Sequence, residues 1–277
     1  MIRSILVALD ESKASRFAEK FAVHMAEQHK ASITGIGVLD ELWMIAPEAV
    51  PIGGAGFKAE LDADVLADAK RRIHRLESDF SKLCQATQCA YEVIDAIGIP
   101  SDQICRHLTD HDILVVGKDA DFHFIPTMGP SAPVEELMKH NPRPLILTGT
   151  ADLKGEDVLV AFDGTRASSK ALHMALLMGF LKKSKTHIIT VAHTSDEAEA
   201  IMRPALSLCE KHGIKAHPHP VGSDRKASEE ILAYADKMHP SLIVIGAFGH
   251  KGIQYLFTGS CAKSLLKYSN YPFFLYH

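Results

Sequence analysis

The sequence predicts an α/β protein built from two tandem doubly wound domains, each with a five-stranded parallel sheet and flanking helices. The first observation is an internal repeat, because residues 5–10, ILVALD, recur at 158–163 as VLVAFD. The second is that such short apolar runs are typical of parallel strands that are buried on both faces. The third is the helical spacing of Phe17, Phe21 and Met25 after the first run, which predicts a strand followed by a helix.

Strand and helix signals alternate in the same order through both halves of the chain. Parallel neighbours require crossover connections, so this alternation favours a parallel sheet in each copy. Short closing helices are predicted at 134–139 and 260–267, and the boundary between copies at 149–155 predicts domains 1–150 and 151–277. The paired strands after the first are 32–39 with 186–192, 91–96 with 215–220, 113–117 with 242–246, and 144–148 with 272–276.

The first copy is longer than the second, and most of the excess is assigned to an apolar insertion at 42–58. This segment contains Trp43, Met44 and Ile45 and leaves the second strand at its carboxyl end, the side on which ligands bind in such sheets. Three interpretations stay open. The insertion is a mobile lid, a surface for a partner, or a segment that fills the first copy's site with Trp43 or Ile45.

Composition limits the classes of function. The 277 residues suffice for two ordinary domains, and 34 acidic residues against 30 basic ones give a net charge of −4 without a basic stripe, which argues against nucleic acid as a partner. The five cysteines form no CxxC pair, so a reducing cytoplasm is the expected location. No apolar helix approaches the roughly 20 residues needed to span a bilayer.

The motif that carries chemistry follows the fourth strand of the second copy. Residues 246–260, GAFGHKGIQYLFTGS, place glycines at the strand end and a Gly-Ser pair at the start of a helix. Glycine permits close approach of the backbone to a ligand, and a helix N-terminus favours an anion such as phosphate. The segment is neither a Walker loop nor a GxGxxG dinucleotide fingerprint.

The spacing of Gly246, Gly249, Gly259 and Ser260 resembles the nucleotide-binding motif of the universal stress protein family, and the resemblance covers nearly the whole chain. It implies that Asp163 and the backbone of Val191 hold the adenine and ribose end of ATP or a related adenine nucleotide. The four loop residues then hold ribose and phosphates, with Mg²⁺ as the accompanying ion. The resemblance also implies that the fifth strands of the two copies pair in an intramolecular pseudo-dimer, beside which a homodimer of chains stays open.

The first copy departs from this motif. At the corresponding positions Gly117 and Ser131 are kept, but Ala120 and Pro130 replace the second and third glycines. Proline offers no N–H to an anion and fixes its own φ. The loop also gains Lys118, Asp119, Asp121 and His123, and its two carboxylates repel phosphate. The first copy, which keeps Asp10 and Val38 at its strand ends, is therefore predicted to be degenerate for ATP.

No catalytic residue and no metal site are predicted. The sequence offers no Ser-His-Asp or Cys-His grouping, and the loop lacks an arginine to stabilise a transferring phosphoryl group, which leaves only slow ATP hydrolysis through His250 or Lys251 as an open activity. His193, His217 and His219 have no carboxylate or cysteine at ligand spacing. Cys261, at a helix start, is expected to be packed and inert rather than reactive.

These observations predict a stress-related module that binds ATP mainly through its second domain and acts as a sensor or regulator. The alternative is a protein-interaction scaffold that uses no nucleotide, with the insertion and the paired closing strands as contact surfaces. The two hypotheses differ on whether the glycine loop has any nucleotide affinity to lose.

Overall fold

A computed structural model of the protein describes residues 1–45, 54–87, 89–124, 130–151, 155–246 and 260–276. Within these ranges the chain forms two compact units. One comprises Arg3–Arg143, and the other comprises Pro144–His277 together with Met1–Ile2. The compact units therefore divide the chain just before the first copy's fifth strand, whereas the sequence repeat divides it just after that strand.

The unit Arg3–Arg143 is a parallel sheet in the order β3-β2-β1-β4 with helices between the strands. Its strands at 4–8, 32–39 and 113–117 are apolar and largely buried, as expected of a sheet covered on both faces, whereas the edge strand at 91–97 is largely exposed. Its elements are β1 (Ser4–Ala8), α1 (Lys13–His29), β2 (Ser32–Leu39), α2 (Glu41–Met44), α3 (Ala55–Thr87), β3 (Tyr91–Ile97), α4 (Pro100–His107), a 3-10 turn (Leu108–Asp110), β4 (Ile113–Gly117) and α5 (Ala132–His140).

The second unit contains a sheet in the order β5-β10-β9-β6-β7-β8, in which every pair except β5 with β10 is parallel. Its elements are β5 (Leu145–Thr148), β6 (Val158–Ala161), α6 (Arg166–Met178), β7 (Thr186–Ala192), α7 (Ser195–Lys211), β8 (Ala216–Gly222), α8 (Ala227–Met238), β9 (Leu242–Gly246), α9 (Ser260–Tyr268) and β10 (Phe273–Tyr276).

The α/β fold class and the doubly wound order of both copies are confirmed by these pairings. The expected pairing of the two closing strands is also present, because Ile146 of β5 lies opposite Phe274 of β10 in antiparallel register. This pairing protects the apolar strand β10, which would otherwise be an exposed edge. As a result β5, although it ends the first repeat in sequence, belongs to the sheet of the second compact unit.

The predicted insertion at 42–58 takes a different form in the structure. Its start lies in α2, its end lies in the first turn of α3, and residues 46–53 are outside the described part of the chain. Part of the excess length of the first copy lies in α3, whose 33 residues are about twice the 17 of α7. The assignment of most of the excess to 42–58 stays a prediction. After Gly56 the helix meets no Gly or Pro, and its buried residues recur at helical spacing: Ala69, Ile73, Leu76, Phe80 and Cys84.

Candidate functional site

The carboxyl ends of β1 and β4 in the first copy converge on Asp10, which is only 3% exposed. Its Oδ1 accepts a hydrogen bond from the Ser12 N–H at 2.8 Å, and its Oδ2 accepts one from the Phe122 N–H at 3.1 Å. Burial raises the pKa of Asp10, while these backbone hydrogen bonds act in the opposite direction. The carboxyl group thus has its partners within the protein.

The loop after β4 occupies the space beside Asp10. Phe122 is 2% exposed and has a φ of 63°, an uncommon backbone conformation for a bulky residue. The Nε2 atom of the next residue, His123, lies 3.1 Å from Asp40 Oδ2 at the end of β2. The hydroxyl of Ser131 donates to the carbonyl of Ala120 and accepts from the Val134 N–H as the N-cap of α5. The loop is held by its own contacts.

Helices α2 and α3 cover the same loop from outside. The ring of Trp43 stacks on His123 with centroids 4.0 Å apart and planes 20° from parallel. Arg72 of α3 donates to Glu11 through Nε and Nη2, and its guanidinium carbon lies 4.1 Å from the Phe124 ring centroid. Trp43 is 47% exposed and covers the loop from outside, so the three interpretations of the insertion stay predictions.

The equivalent acid of the second copy has a different environment among the described residues. Asp163, which follows β6, is exposed, and its Oδ1 accepts the Thr165 N–H at 3.0 Å. Thr165 in turn caps α6 by accepting the Ser168 N–H at 3.2 Å. The local turn is therefore built as in the first copy, but its carboxylate faces a cleft instead of a buried phenylalanine.

This cleft lies at the carboxyl ends of β6, β7 and β9 and is walled by α8 and α9. It brings together three of the predicted site residues, Asp163, Val191 and Gly246. Gly249 and Gly259 lie outside the described residues, and Ser260 begins α9. The sequence did not predict that residues of α8 and α9 line the cleft, because the sequence of a helix does not reveal which neighbouring element its apolar residues contact. The wall and floor include Thr165, Ile189, Ala227, Ile231, Cys261 and Leu265.

Gly246 has a structural reason to be glycine. A Cβ atom placed there would lie 2.4 Å from the Ser168 backbone N at the start of α6. Gly117 holds the equivalent position in the first copy, where a Cβ atom would lie 2.4 Å from the Ser15 backbone N of α1. Because the loop of the first copy also keeps this glycine, close packing of strand end and helix start explains it without a ligand.

Two further side chains near the strand ends have shifted pKa values. Burial raises the pKa of Cys261 to about 11, with a smaller contribution from the charge of Asp163. This direction agrees with the expectation of an unreactive thiol, which stays a prediction. In the first copy, burial lowers the pKa of Lys118.

The histidines considered as metal ligands engage other groups. His219 Nε2 lies 2.9 Å from His187 Nδ1 and 2.6 Å from the Tyr234 hydroxyl. His193 is exposed and lies 3.4 Å from Asp224 Oδ1. His187, which sequence reasoning missed, joins the group because β7 and β8 place it directly opposite His217.

Comparison with known proteins fits this arrangement of two similar halves. The Universal stress protein family model matches residues 1–120 and 156–277. The chain belongs to the universal stress protein family. The universal stress protein Slr1230 of Synechocystis sp. is 26% identical over 288 residues, which cover 98% of each chain.

Solved universal stress proteins share the fold. One from Archaeoglobus fulgidus aligns with a TM-score of 0.68 and 19% identity over 98% of this chain and 95% of its own. A universal stress protein solved in complex with cAMP covers 44% of this chain and 97% of its own, with 22% identity and a TM-score of 0.39. Within the described ranges of the present chain, no helix is both long and apolar enough to cross a membrane.

Proposed function

We propose that the second half of this universal stress protein binds ATP or a related adenine nucleotide, accompanied by Mg²⁺, and that the protein acts as a nucleotide-dependent sensor or regulator. The observation that carries the proposal is the difference between two equivalent acids. Asp10 is buried and bonded to the Phe122 backbone, whereas Asp163 is exposed at the mouth of a cleft. The second half alone leaves the strand-end acid available to a ligand.

The cleft suits the parts of a nucleotide. Val191 and Ile231 provide apolar walls for a flat base, and an exposed carboxylate at Asp163 accepts hydrogen bonds from ribose hydroxyls. The start of α9 at Ser260 supplies free N–H groups and the positive end of a helix dipole, which favour a phosphate. The glycines at 249 and 259 permit close backbone approach to that phosphate.

Calorimetric titration of nucleotide-stripped protein with ATP and Mg²⁺ tests this proposal. We expect one site per chain, abolished by Gly259→Pro, because proline removes an N–H and fixes φ in the loop. Asp163→Ala should weaken binding by about 10- to 100-fold, the loss of roughly 1.5–3 kcal/mol from hydrogen bonds to a charged group. Glu210→Ala, which removes another exposed acid of the same half, is the control and should bind as the wild type does.

Absence of binding by the wild type, together with absence of co-purified nucleotide in denatured preparations, would overturn the proposal and favour the scaffold hypothesis. Two sites per chain would contradict the assignment to the second half alone.

A further inference from the structure

One helix and one strand of the first unit bring a histidine and two carboxylates together. His74 and Glu77 lie one turn apart on α3, and Asp95 lies on β3. One ligand atom from each falls within 4.8 Å of the other two, and His74 Nδ1 lies 3.0 Å from Glu77 Oε2. We propose that these three side chains form a binding site for a divalent transition-metal cation, with Zn²⁺ as the best-fitting ion.

The carboxylate of Glu77 is largely buried. Its side chain is 13% exposed, and its Oε1 atom is buried with no hydrogen-bond partner among the described residues. Gly37 of β2 makes room for it, because a Cβ there would lie 3.1 Å from Oε1. Gly37 pairs in register with Asp95, so the strand pairing brings the second carboxylate alongside. A buried carboxylate oxygen without a donor is costly, and a cation removes that cost.

The charges around this group favour a cation. Within the part of the chain that the structure describes, neither Glu77 nor Asp95 forms an ion pair with a lysine or arginine. Two like charges this close repel one another unless a positive ion lies between them.

The donor set selects the class of ion. One imidazole nitrogen and two carboxylate oxygens are all accepted by Zn²⁺ at about 2.0–2.2 Å, whereas Mg²⁺ and Ca²⁺ prefer oxygen ligands throughout. Histidine and glutamate three positions apart lie on the same face of a helix, so the rigid α3 presents both together. His74 and Asp95 are exposed, so modest side-chain rotation brings them to coordinating distance. Three protein ligands leave a fourth position to water or another donor.

A group of histidines in the other unit is the alternative location for a metal ion. There His187 and His219 contact each other and Tyr234, and His187 Nε2 lies 3.4 Å from Asp157 Oδ2. The proposed site differs because it brings one imidazole nitrogen and two carboxylate oxygens within 4.8 Å of one another. It is also independent of the nucleotide proposal, since its residues belong to the first unit and the nucleotide cleft belongs to the second.

The first experiment is calorimetric titration of the metal-stripped full chain with Zn²⁺ in the absence of nucleotide. His74→Ala, Glu77→Gln and Asp95→Asn should each weaken one site by about tenfold or more, because even outer-shell changes cost 10- to 100-fold in metal affinity. The matched control is the pair Glu136→Gln and His140→Ala on α5, where Nε2 of the histidine lies 3.3 Å from the glutamate without a third ligand. These two variants should bind Zn²⁺ within about twofold of the wild type.

A melting-temperature measurement separates ligation from a purely structural role. Zn²⁺ should raise the melting temperature of the wild type. Glu77→Gln should melt no lower than the wild type without metal, because it removes an uncompensated buried charge, and should lose the increase caused by Zn²⁺. The proposal is overturned if all three variants keep Zn²⁺ binding, if His187→Ala alone abolishes it, or if Mg²⁺ or Ca²⁺ binds the site more tightly than Zn²⁺.

Discussion

The two strand-end sites of this chain begin from the same local sequence and differ in what surrounds them. Both have an Asp after the first strand that accepts a backbone N–H two residues later, Ser12 for Asp10 and Thr165 for Asp163. In the first copy a phenylalanine N–H takes the other carboxylate oxygen, whereas in the second copy the acid lies at an open cleft. The same residue is thus a structural acceptor in one half and available to a ligand in the other.

Two helices hold the loop beside Asp10 in the first half. Trp43 and Arg72, from helices α2 and α3, contact the loop residues His123 and Phe124. These contacts give the polar loop partners within the protein. The comparison teaches that an Asp at a strand end is evidence of ligand binding only when the adjoining loop leaves it exposed.

The largest effect is expected where the two copies are alike. Gly117→Ala and Gly246→Ala should each destabilise the protein by about 3 kcal/mol, because the new methyl group meets backbone atoms that cannot yield cheaply. Urea denaturation of each variant measures the change. Gly56→Ala is the control, since nothing lies within 4 Å of a Cβ there, and it should be neutral or slightly stabilising.

A loss in Gly246→Ala no greater than in Gly56→Ala would show that the strand-end glycine is kept for the ligand and not for packing. If Gly117→Ala and Gly246→Ala lose similar amounts of stability, this glycine of the motif is required for packing in both copies.

The next effect concerns the two acids. Asp10→Ala should cost about 2 kcal/mol, because it leaves the buried N–H of Phe122 without an acceptor. Asp163→Ala should change stability by only about 0.5 kcal/mol, since the residue is exposed. Thermal denaturation of both variants without nucleotide gives the comparison, and equal losses would contradict the distinction between a structural acid and a ligand-binding acid.

The raised pKa of Asp10 predicts how the stability lost in Asp10→Ala depends on pH. A raised pKa means that folding favours the protonated form, so this carboxyl stabilises the protein most below the ordinary aspartate pKa of 3.8 and less as the pH rises through its pKa in the fold. The cost of Asp10→Ala should therefore decrease as the pH rises from acid to neutral. An increase over that range would indicate that the ionised form is the one held by the fold.

The sequence was sufficient for the parts of the fold that depend on local pattern. Apolar runs ending in Asp located β1 and β6, and the repeat located their counterparts, because buried parallel strands and helices have distinct periods. The family resemblance assigned Asp163, Val191 and Gly246 to one site. In the structure they line one cleft, since the carboxyl ends of parallel strands meet at one edge of a sheet.

The remaining features depend on contacts between distant residues. The partner of Asp10 is a backbone N–H at position 122, and a backbone group carries no sequence signal. The start of α3 was missed because its first residues were assigned to the apolar insertion at 42–58. The antiparallel partner of β10 followed from the family resemblance and not from periodicity, which does not reveal which strands are neighbours.

The smallest expected effect tests the segment that distinguishes the first copy. Trp43 is 47% exposed, so its stack on His123 should contribute only about 1 kcal/mol, the usual value for an aromatic pair beyond its burial. Trp43→Ser should therefore lower stability by that amount in chemical denaturation. Leu42→Ser is the control, because its side chain is 78% exposed, and it should have little effect. If the two variants are equally stable, Trp43 does not hold the first site closed, and the segment is better explained as a lid or a partner surface.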